Sequence, residues 1–474
     1  MITVSAEQIA SIVGGTLFSA DIDQRLEVTG QARVDSRDVS LGDLFVAIQG
    51  QGVDGHDFVD QALERGAVLT LATRTVSGPH VLVGDPVEAL SALARHNAST
   101  LPATCSVIAL TGSSGKTSTK DLLAAVLESA GPTIAPPGSF NNEIGMPLTV
   151  LRADASTRFL VLEMGARNLG HIAWLCSIAR PSIGIELNVG SAHISEFGDA
   201  ATIALAKGEL VEALPASGTA VLNGDDALVR GMADRTEAGV VYFGDAADCL
   251  VRAADVRLDE QGRATFALQV QGAGAVEVSL RVSGRHQVSN ALAASAAALS
   301  CGVSLDVIAT GLSSAEARSP WRMAVSQSAA GTTVINDAYN ANPESMAAAL
   351  RATADIAGDR RVGLVLGEML ELGEVSSQAH RDVGSAAQEM GVAWIVAVDP
   401  VAADIAEGVA SAGGDSDLVV RSTSVTDAIT QALTRRRAGD VVLVKASRAV
   451  GLEVAAAALL DDESAAHPGD GGAA

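Results

Sequence analysis

Cysteine is scarce in this chain of 474 residues. The four present, Cys105, Cys176, Cys249 and Cys301, are far apart and form no CxxC pair. Neither a zinc site nor a disulfide framework follows from such spacing, and mostly apolar neighbours predict buried free thiols. Basic residues are also few. Lys and Arg number 32 against 56 Asp and Glu, a net charge of −24. That balance argues against nucleic acid as a partner, because no broad surface could neutralise phosphates. A single nucleotide needs only a local positive pocket and stays open. No apolar run reaches the length of a membrane span. Met1 to Leu17 has neither a basic opening nor a long apolar stretch, so no signal peptide and a cytoplasmic location are expected.

What is present fits a globular protein, 48% hydrophobic and 19% charged. The length suggests about three domains at ~150 residues each. The most informative run is Thr111-Gly112-Ser113-Ser114-Gly115-Lys116-Thr117, followed by Ser118. It follows the apolar segment Val107 to Leu110, read as a buried strand. It precedes Lys120 to Ala130, where Leu122, Leu123, Val126 and Leu127 recur at helical spacing before Gly131-Pro132. A glycine-bearing turn between strand and helix aims backbone N–H groups and a helix dipole at an anion. Lys116 adds a positive charge and Thr117 a hydroxyl suited to Mg²⁺. The strict GxxxxGK[ST] pattern would place Gly where Leu110 stands, so this is a variant phosphate loop.

Three units follow from the pattern. Residues 1–98 alternate short strands and helices, with Leu44 to Ile48 and Val81 to Val83 as strands. Residues 99–318 contain the phosphate loop and strands at Phe159 to Glu163, Ser182 to Leu187 and Thr219 to Leu222. Alternation near 250–282 suggests a small antiparallel insertion, and Asn290 to Ser300 an Ala-rich helix. Residues 319–460 carry strands at Val362 to Leu366, Trp394 to Val398, Leu418 to Val420 and Val441 to Lys445. The expected class is α/β: an N-terminal α/β domain, a central phosphate-loop domain with a mostly parallel sheet, and a C-terminal Rossmann-like domain. The third unit has no GxGxxG, so no dinucleotide is implied. The tail, 461–474, is rich in Gly, Ala and Asp and is expected to lack order.

Further motifs sit where strand ends and loops are expected. They are Asn141-Asn142-Glu143-Ile144-Gly145, Glu163-Met164-Gly165, Asn188 to His193, Lys207 with Glu209, and Asp337 to Pro343. Each has a bland reading alone: Glu163 as a salt-bridge partner, His193 as a polar loop residue, Lys207 as a solvated helix face, the Asn runs as turn chemistry. Their conjunction is improbable by chance. The order TGSSGKT, NNEIGMPLT, LEMGARNLGHI, NVGSAHISEFG, AKGEL, GRHQVSNALAA, NDAYNANPESM and VLGEMLELG resembles the Mur ligase family over nearly the whole chain. The DNPR-type signature of the ligase that adds the third amino acid is absent. Val444-Lys445-Ala446-Ser447-Arg448 departs from the usual form, which has Gly where Ala446 stands.

The resemblance implies an ATP-dependent amide ligase. Its variants look most similar to the branch that joins D-Ala-D-Ala to a UDP-N-acetylmuramoyl tripeptide through an acyl phosphate. The first domain would hold the UDP substrate, with Ser36, Arg37 and the loop Asp54, Gly55, His56, Phe58 in the uridine region; a surface ion pair is the rival reading for Arg37. Thr111 to Ser118, Asn290, Arg322, Asp337, Tyr339 and Asn340 would bind ATP. Asn141, Asn142, Lys445 and Arg448 would meet the peptide substrates. Lys116, Glu163, His193 and Lys207 would be the catalytic set. Thr117, Glu163, His193 and a carbamylated Lys207 would hold Mg²⁺. The partners are small molecules, and a monomer is expected. Rival readings are another amide ligase of the superfamily, such as a folylpolyglutamate synthetase-like enzyme, and a non-catalytic nucleotide switch. A separate N-terminal unit speaks against the first, and an intact second metal set against the other.

Overall fold

The computed structural model describes residues 2–18, 26–50, 52–190 and 197–461. The central sheet explains why the phosphate loop is where it is. Its strands run, edge to edge, Thr133–Ile134, Phe159–Glu163, Ser106–Thr111, Ile183–Glu186, Thr219–Asn223, Gly239–Phe243, Val251–Leu258, Arg263–Val270 and Gly274–Ser283. The first seven are parallel and the last two pairings antiparallel. Phe159–Glu163 and Ile183–Glu186 are buried at every position, as strands covered on both faces must be. The segment expected as an antiparallel insertion continues this same sheet, because Val251–Leu258 adds to Gly239–Phe243 in parallel before the chain turns back.

The helix Lys116–Glu128 starts directly at the loop, four residues earlier than its apolar spacing suggested. It packs with the Ala-rich helix Gln287–Ser300 in one core with Ile108, Leu110, Ile185 and Phe266. Small alanine side chains allow that close approach.

The N-terminal sheet runs Thr16–Phe18, His80–Leu82, Leu69–Ala72, Leu44–Val46 and Ala32–Arg33, with the first pair antiparallel and the others parallel. The helix Pro86–Thr100 leaves it behind an Asp85 N-cap. One face of this unit has a small core of its own, with Val39, Phe45, Val59 and Ala62, and the other face shares a core with the central unit. Ile9, Leu44, Leu69 and Leu90 belong to one apolar cluster with Met146, Leu160, Leu162 and Ile172 of the central unit. Buried Asn97 adds hydrogen bonds to the carbonyls of Val150 and Ala153, both at 3.0 Å. The first two units are thereby fixed against each other.

The C-terminal sheet runs Ala324–Gln327, Thr333–Asn336, Val441–Lys445, Val362–Leu366, Trp394–Val398 and Val419–Ser422, parallel except for the first pair. Here two separate clusters cover the two sheet faces. The last helix ends at Asp461, and residues 462–474 of the expected tail lie outside the described residues.

Candidate functional site

Gly112 and Gly115 give the loop its shape. Gly112 has φ +155° and Gly115 φ +80°. A Cβ on Gly112 would come within 2.8 Å of Leu187 Cβ, and one on Gly115 within 2.6 Å of Asn290 Oδ1. Side chains are excluded at both, so the backbone lies bare against the cleft. Ser113 N–H donates to Asn188 O at 3.0 Å, and Ser114 N–H to Asn188 Oδ1 at 2.9 Å. Thr111 is fully buried beneath the loop. The helix begins at Lys116 with no side-chain cap, which leaves its first turn suited to an anion. Lys116 Nζ folds back on Gly112 O at 2.6 Å. Burial pushes its pKa down; nearby Glu163 opposes that and Arg322 adds to it.

Glu163 closes the neighbouring strand, fully buried. Its Oε2 accepts from Thr117 Oγ1 at 2.9 Å; its Oε1 accepts from Ser139 Oγ at 2.6 Å and Asn141 Nδ2 at 2.9 Å. Asn142 Oδ1 accepts from Gly145 N–H at 2.9 Å, where the next helix begins. The Thr117, Ser139 and Glu163 oxygens are a hard, all-oxygen set. Mg²⁺ suits it, since that ion takes one or two carboxylates and completes its shell with water and phosphate. Among the described residues no three His, Cys, Asp or Glu groups gather as a fuller metal cage.

The opposite wall comes from the third unit. Arg322 lies over the Tyr339 ring at 4.0 Å. Its neighbours Trp321 (φ +58°) and Met323 (φ +50°) are in the left-handed region, which costs non-glycine residues energy and needs local support. Met323 N–H donates to Asp337 Oδ1 at 2.9 Å, and Tyr339 N–H to Trp321 O at 3.1 Å. Buried Lys445 joins Asp337 Oδ2 at 2.6 Å and Asn340 O at 2.8 Å. Arg448 stacks on Trp321 at 4.3 Å. Asn342 Nδ2 reaches Ser113 O at 3.4 Å, so this wall touches the phosphate loop. The cleft has a volume of about 850 Å³, and Lys116, Thr117, Glu163, Arg322, Asp337 and Lys445 all line it, with Ser118, Asn290, Tyr339 and Asn340.

Three family models cover most of the chain: the catalytic domain of the Mur ligase family over residues 32–97, the Mur ligase middle domain over 110–298, and the Mur ligase glutamate ligase domain over 321–448. A curated relative from Mycobacterium bovis, named UDP-N-acetylmuramoyl-tripeptide–D-alanyl-D-alanine ligase, is 43% identical over 98% of this chain and 99% of its own. The chain belongs to the Mur ligase family. MurF from Acinetobacter baumannii superposes with a TM-score of 0.85 at 31% identity, over 97% of this chain and 99% of that one. MurF ligase from Thermotoga maritima, solved in complex with ADP, gives 0.77 at 31% identity, over 90% and 96%.

The other residues singled out by the Mur ligase motifs differ in placement. Lys207 is buried and does not line the cleft. Burial, with Lys116 nearby, pushes its pKa down to about 7, and Glu186 opposes this. Glu186 is fully buried, neither of its carboxyl oxygens makes a hydrogen bond, and burial pushes its pKa well up. His193 lies outside the described residues. Asn290, expected to bind ATP, spends its amide within the protein: Oδ1 accepts from Thr119 Oγ1 at 3.2 Å and Nδ2 donates to Gln287 Oε1 at 2.8 Å. Ser36 and Arg37 sit apart from the cleft. Ser36 donates to Gln61 Oε1 at 2.5 Å, and Arg37 forms a two-pronged pair with Asp35. His56 is a framework residue. Its Nε2 accepts from Thr73 N–H at 3.0 Å, so Nδ1 carries the proton toward Asp54 Oδ1 at 2.7 Å.

Sequence reasoning missed Trp321, Glu186, Lys120 and the Arg167–His171 pair. Lys120 is buried and joins Asp121 at 2.5 Å, Pro136 O at 2.9 Å and Gly138 O at 3.0 Å. It thereby holds the loop that presents Ser139. The signal available was its spacing, one helical turn beyond Lys116.

Proposed function

We propose that this chain is an ATP-dependent amide ligase that joins D-Ala-D-Ala to the terminal carboxylate of a UDP-N-acetylmuramoyl tripeptide. The observation that carries the reading is the shared cleft: phosphate-loop residues of one domain and Arg322, Asp337 and Lys445 of another face the same 850 Å³. The curated relative's name and near-complete overlap supply the substrates.

The reaction needs the peptide carboxylate made electrophilic. A carboxylate oxygen attacks the ATP γ-phosphorus and ADP leaves, giving an acyl phosphate. The dipeptide amine then attacks the acyl carbon, loses a proton, and the C–O bond breaks to release phosphate. Such chemistry is mainly positioning and charge neutralisation. Lys116 and the loop N–H groups hold the β- and γ-phosphates. Arg322 meets the triphosphate from the opposite side, and Tyr339 and Asn340 flank the base and ribose. Asp337 keeps Lys445 and the Asn340 backbone in register. Asn141 and Asn142 steer the peptide, and Lys445 with Arg448 offers positive charge to the dipeptide carboxylate. Ser36 and Arg37 contact the uridine nucleotide.

Thr117 and Glu163 would hold one Mg²⁺, and His193 with Lys207 would hold a second. When bound, the ion neutralises charge on the transferring phosphoryl group. Lys207 serves as a carbamate. Its amine, with a pKa near 7, is free to attack CO₂ and lose a proton, and the product carries a negative charge where an ammonium would repel a cation. Burial raises the pKa of Glu186, while Lys207 and Arg235 oppose that shift. Among the described residues, one chain supplies both the phosphate-loop wall and the opposite wall of the cleft, which supports a monomer. No helix among the described residues is long and apolar enough to cross a membrane, and the water-soluble substrates support a cytoplasmic enzyme.

The test is phosphate release and mass spectrometry with purified protein, ATP and Mg²⁺. The reading expects ATP cleavage that requires both peptide substrates, with a pentapeptide product. Turnover with glutamate and a folate, but not with the muramoyl peptide, would refute it.

A further inference from the structure

The reaction above leaves one proton without a destination. The dipeptide amine sheds it as the amide forms, and none of the groups placed so far receives it. A carboxylate on the cleft wall can serve as acceptor. Five line the cleft: Glu163, Asp226, Asp337, Glu344 and Glu371.

Most of these are committed within the protein. Glu163 serves Thr117, Ser139 and Asn141, and Asp337 serves Met323 and Lys445. Asp226 Oδ2 accepts from Val189 N–H at 2.8 Å and its Oδ1 from Leu228 N–H at 2.9 Å. Glu344, in the first turn of the helix Pro343–Ala357, is packed against Gly190, where an added Cβ would come within 2.5 Å of its Cδ. Glu371 stands apart from that set.

The backbone at Glu371 has φ +63°, in the left-handed region. A non-glycine residue keeps that conformation where its surroundings over-determine it. Two contacts do so here. Met369 N–H donates to His380 Nε2 at 3.0 Å, and Leu370 N–H to Ser447 Oγ at 3.0 Å. His380 is 1% exposed, and its Nδ1 donates to Ser376 O at 2.8 Å, which fixes the tautomer that leaves Nε2 an acceptor. Of Glu368, Glu371 and Glu374 in this segment, Glu371 is the one that lines the cleft.

The loop also stands beside the groups suited to the other end of the dipeptide. Ser447, which anchors Leu370, is next to Arg448, and Arg448 and Lys445 both line the cleft. The proposed function gives these cations to the dipeptide carboxylate. A dipeptide is a zwitterion about 7 Å long when extended. Glu371 supplies the opposite charge for its amino end on the same wall.

We propose that Glu371 receives the amino end of the incoming dipeptide and takes its proton, with His380 as the positioning residue that holds the loop. Once the bound ammonium has released one proton to water, the neutral amine donates an N–H to the Glu371 carboxylate. Its lone pair forms the C–N bond to the acyl carbon, and the nitrogen becomes positive and acidic. That proton passes to a Glu371 oxygen, the C–O electron pair leaves with phosphate, and Glu371 gives the proton to water. This assignment rests on the proposed ligase reaction and names the group that receives its amine.

The test is steady-state kinetics of the full chain with ATP, Mg²⁺, the UDP-muramoyl tripeptide and D-Ala-D-Ala. Glu371 is exposed and glutamine has nearly its shape, so Glu371→Gln should fold. Its kcat should fall about a hundredfold, the scale of a lost general base. KM for D-Ala-D-Ala should rise, while KM for ATP and for the tripeptide stays unchanged. His380→Phe should also raise KM for D-Ala-D-Ala, and His380→Gln, whose Oε1 can accept from Met369 N–H, should restore it. Wild-type kinetics in Glu371→Gln, or an effect confined to KM for ATP or the tripeptide, would overturn the inference and leave the ligase reading standing. A higher KM for D-Ala-D-Ala with kcat unchanged would overturn the proton transfer. Equal behaviour of His380→Gln and His380→Phe would overturn the positioning role. No ligation of D-Ala-D-Ala by wild type would overturn the ligase reading as well.

Discussion

Ser319 donates its hydroxyl hydrogen to Asp121 Oδ2 at 2.8 Å, and both residues are buried. The linker toward the third unit is therefore pinned to the phosphate-loop helix. Arg318 adds a two-pronged pair with Glu128 of the same helix, at 2.6 and 2.5 Å. A swing of the third unit must then pivot beyond Ser319, at Pro320 and the left-handed Trp321. An ATP analogue with the UDP substrate should make the protein more compact in solution scattering. Ser319→Ala should keep the fold, at a cost of about 1 kcal/mol, and enlarge the ligand-free form. Identical scattering for both proteins, with and without ligands, would place the pivot elsewhere.

Arg322 lies over the Tyr339 ring and lines the same cleft as the phosphate loop. Arg322→Ala should raise KM for ATP by roughly tenfold, the usual scale for losing a charge-assisted contact. Binding of the UDP substrate and the melting temperature should change little. Wild-type ATP kinetics in this variant would confine the third domain to holding the dipeptide.

Lys207 makes stability depend on pH. Its folded pKa, about 7, lies below the ordinary lysine value of roughly 10.4. Between those values the unfolded chain binds the extra proton, so this residue adds stability as pH rises through that window. Below about pH 7 both states carry the charge and its burial cost is fully present. In CO₂-free buffer Lys207→Met should melt higher than wild type at pH 6.5, with the gap closing toward pH 9. A constant gap would mean that Lys207 is not titrating in that range.

Lys207→Ala should lose most activity and recover part of it with added short carboxylic acids, which can replace the carbamate. Full activity without any additive would return Lys207 to the rank of an ordinary lysine.

Lys120 is a buried cation serving two carbonyls and Asp121. Lys120→Met removes the charge and leaves those acceptors unpaired, which should cost about 3–5 kcal/mol. Thermal unfolding would show it. An unchanged melting temperature would mean the loop from Pro136 to Ser139 does not depend on this lysine.

The parts of the structure legible in the sequence are those with local signals. Val362–Leu366, Trp394–Val398 and Val441–Lys445 run as continuous apolar stretches, and the structure has strands at those residues. Phe159–Glu163 ends in a carboxylate, which announced a residue at a strand's C-terminal edge. Leu69–Ala72 and Thr333–Asn336 were not read; their pairing comes from neighbours distant in sequence. The shared core of the first two units was hidden for the same reason. Arg167 and His171 could not be recognised either: an arginine in a loop and a histidine opening a helix carry no spacing signal, and only the fold brings Glu143 beside them.

The acyl-phosphate route is the central claim, and oxygen tracing tests it most directly. The tripeptide would carry ¹⁸O in both oxygens of its reacting carboxylate and be turned over with ATP, Mg²⁺ and D-Ala-D-Ala. One carboxylate oxygen becomes the bridge to phosphorus and leaves with it when the amide forms. The account predicts released phosphate bearing one ¹⁸O and a pentapeptide amide retaining the other. Unlabelled phosphate alongside pentapeptide formation would contradict it.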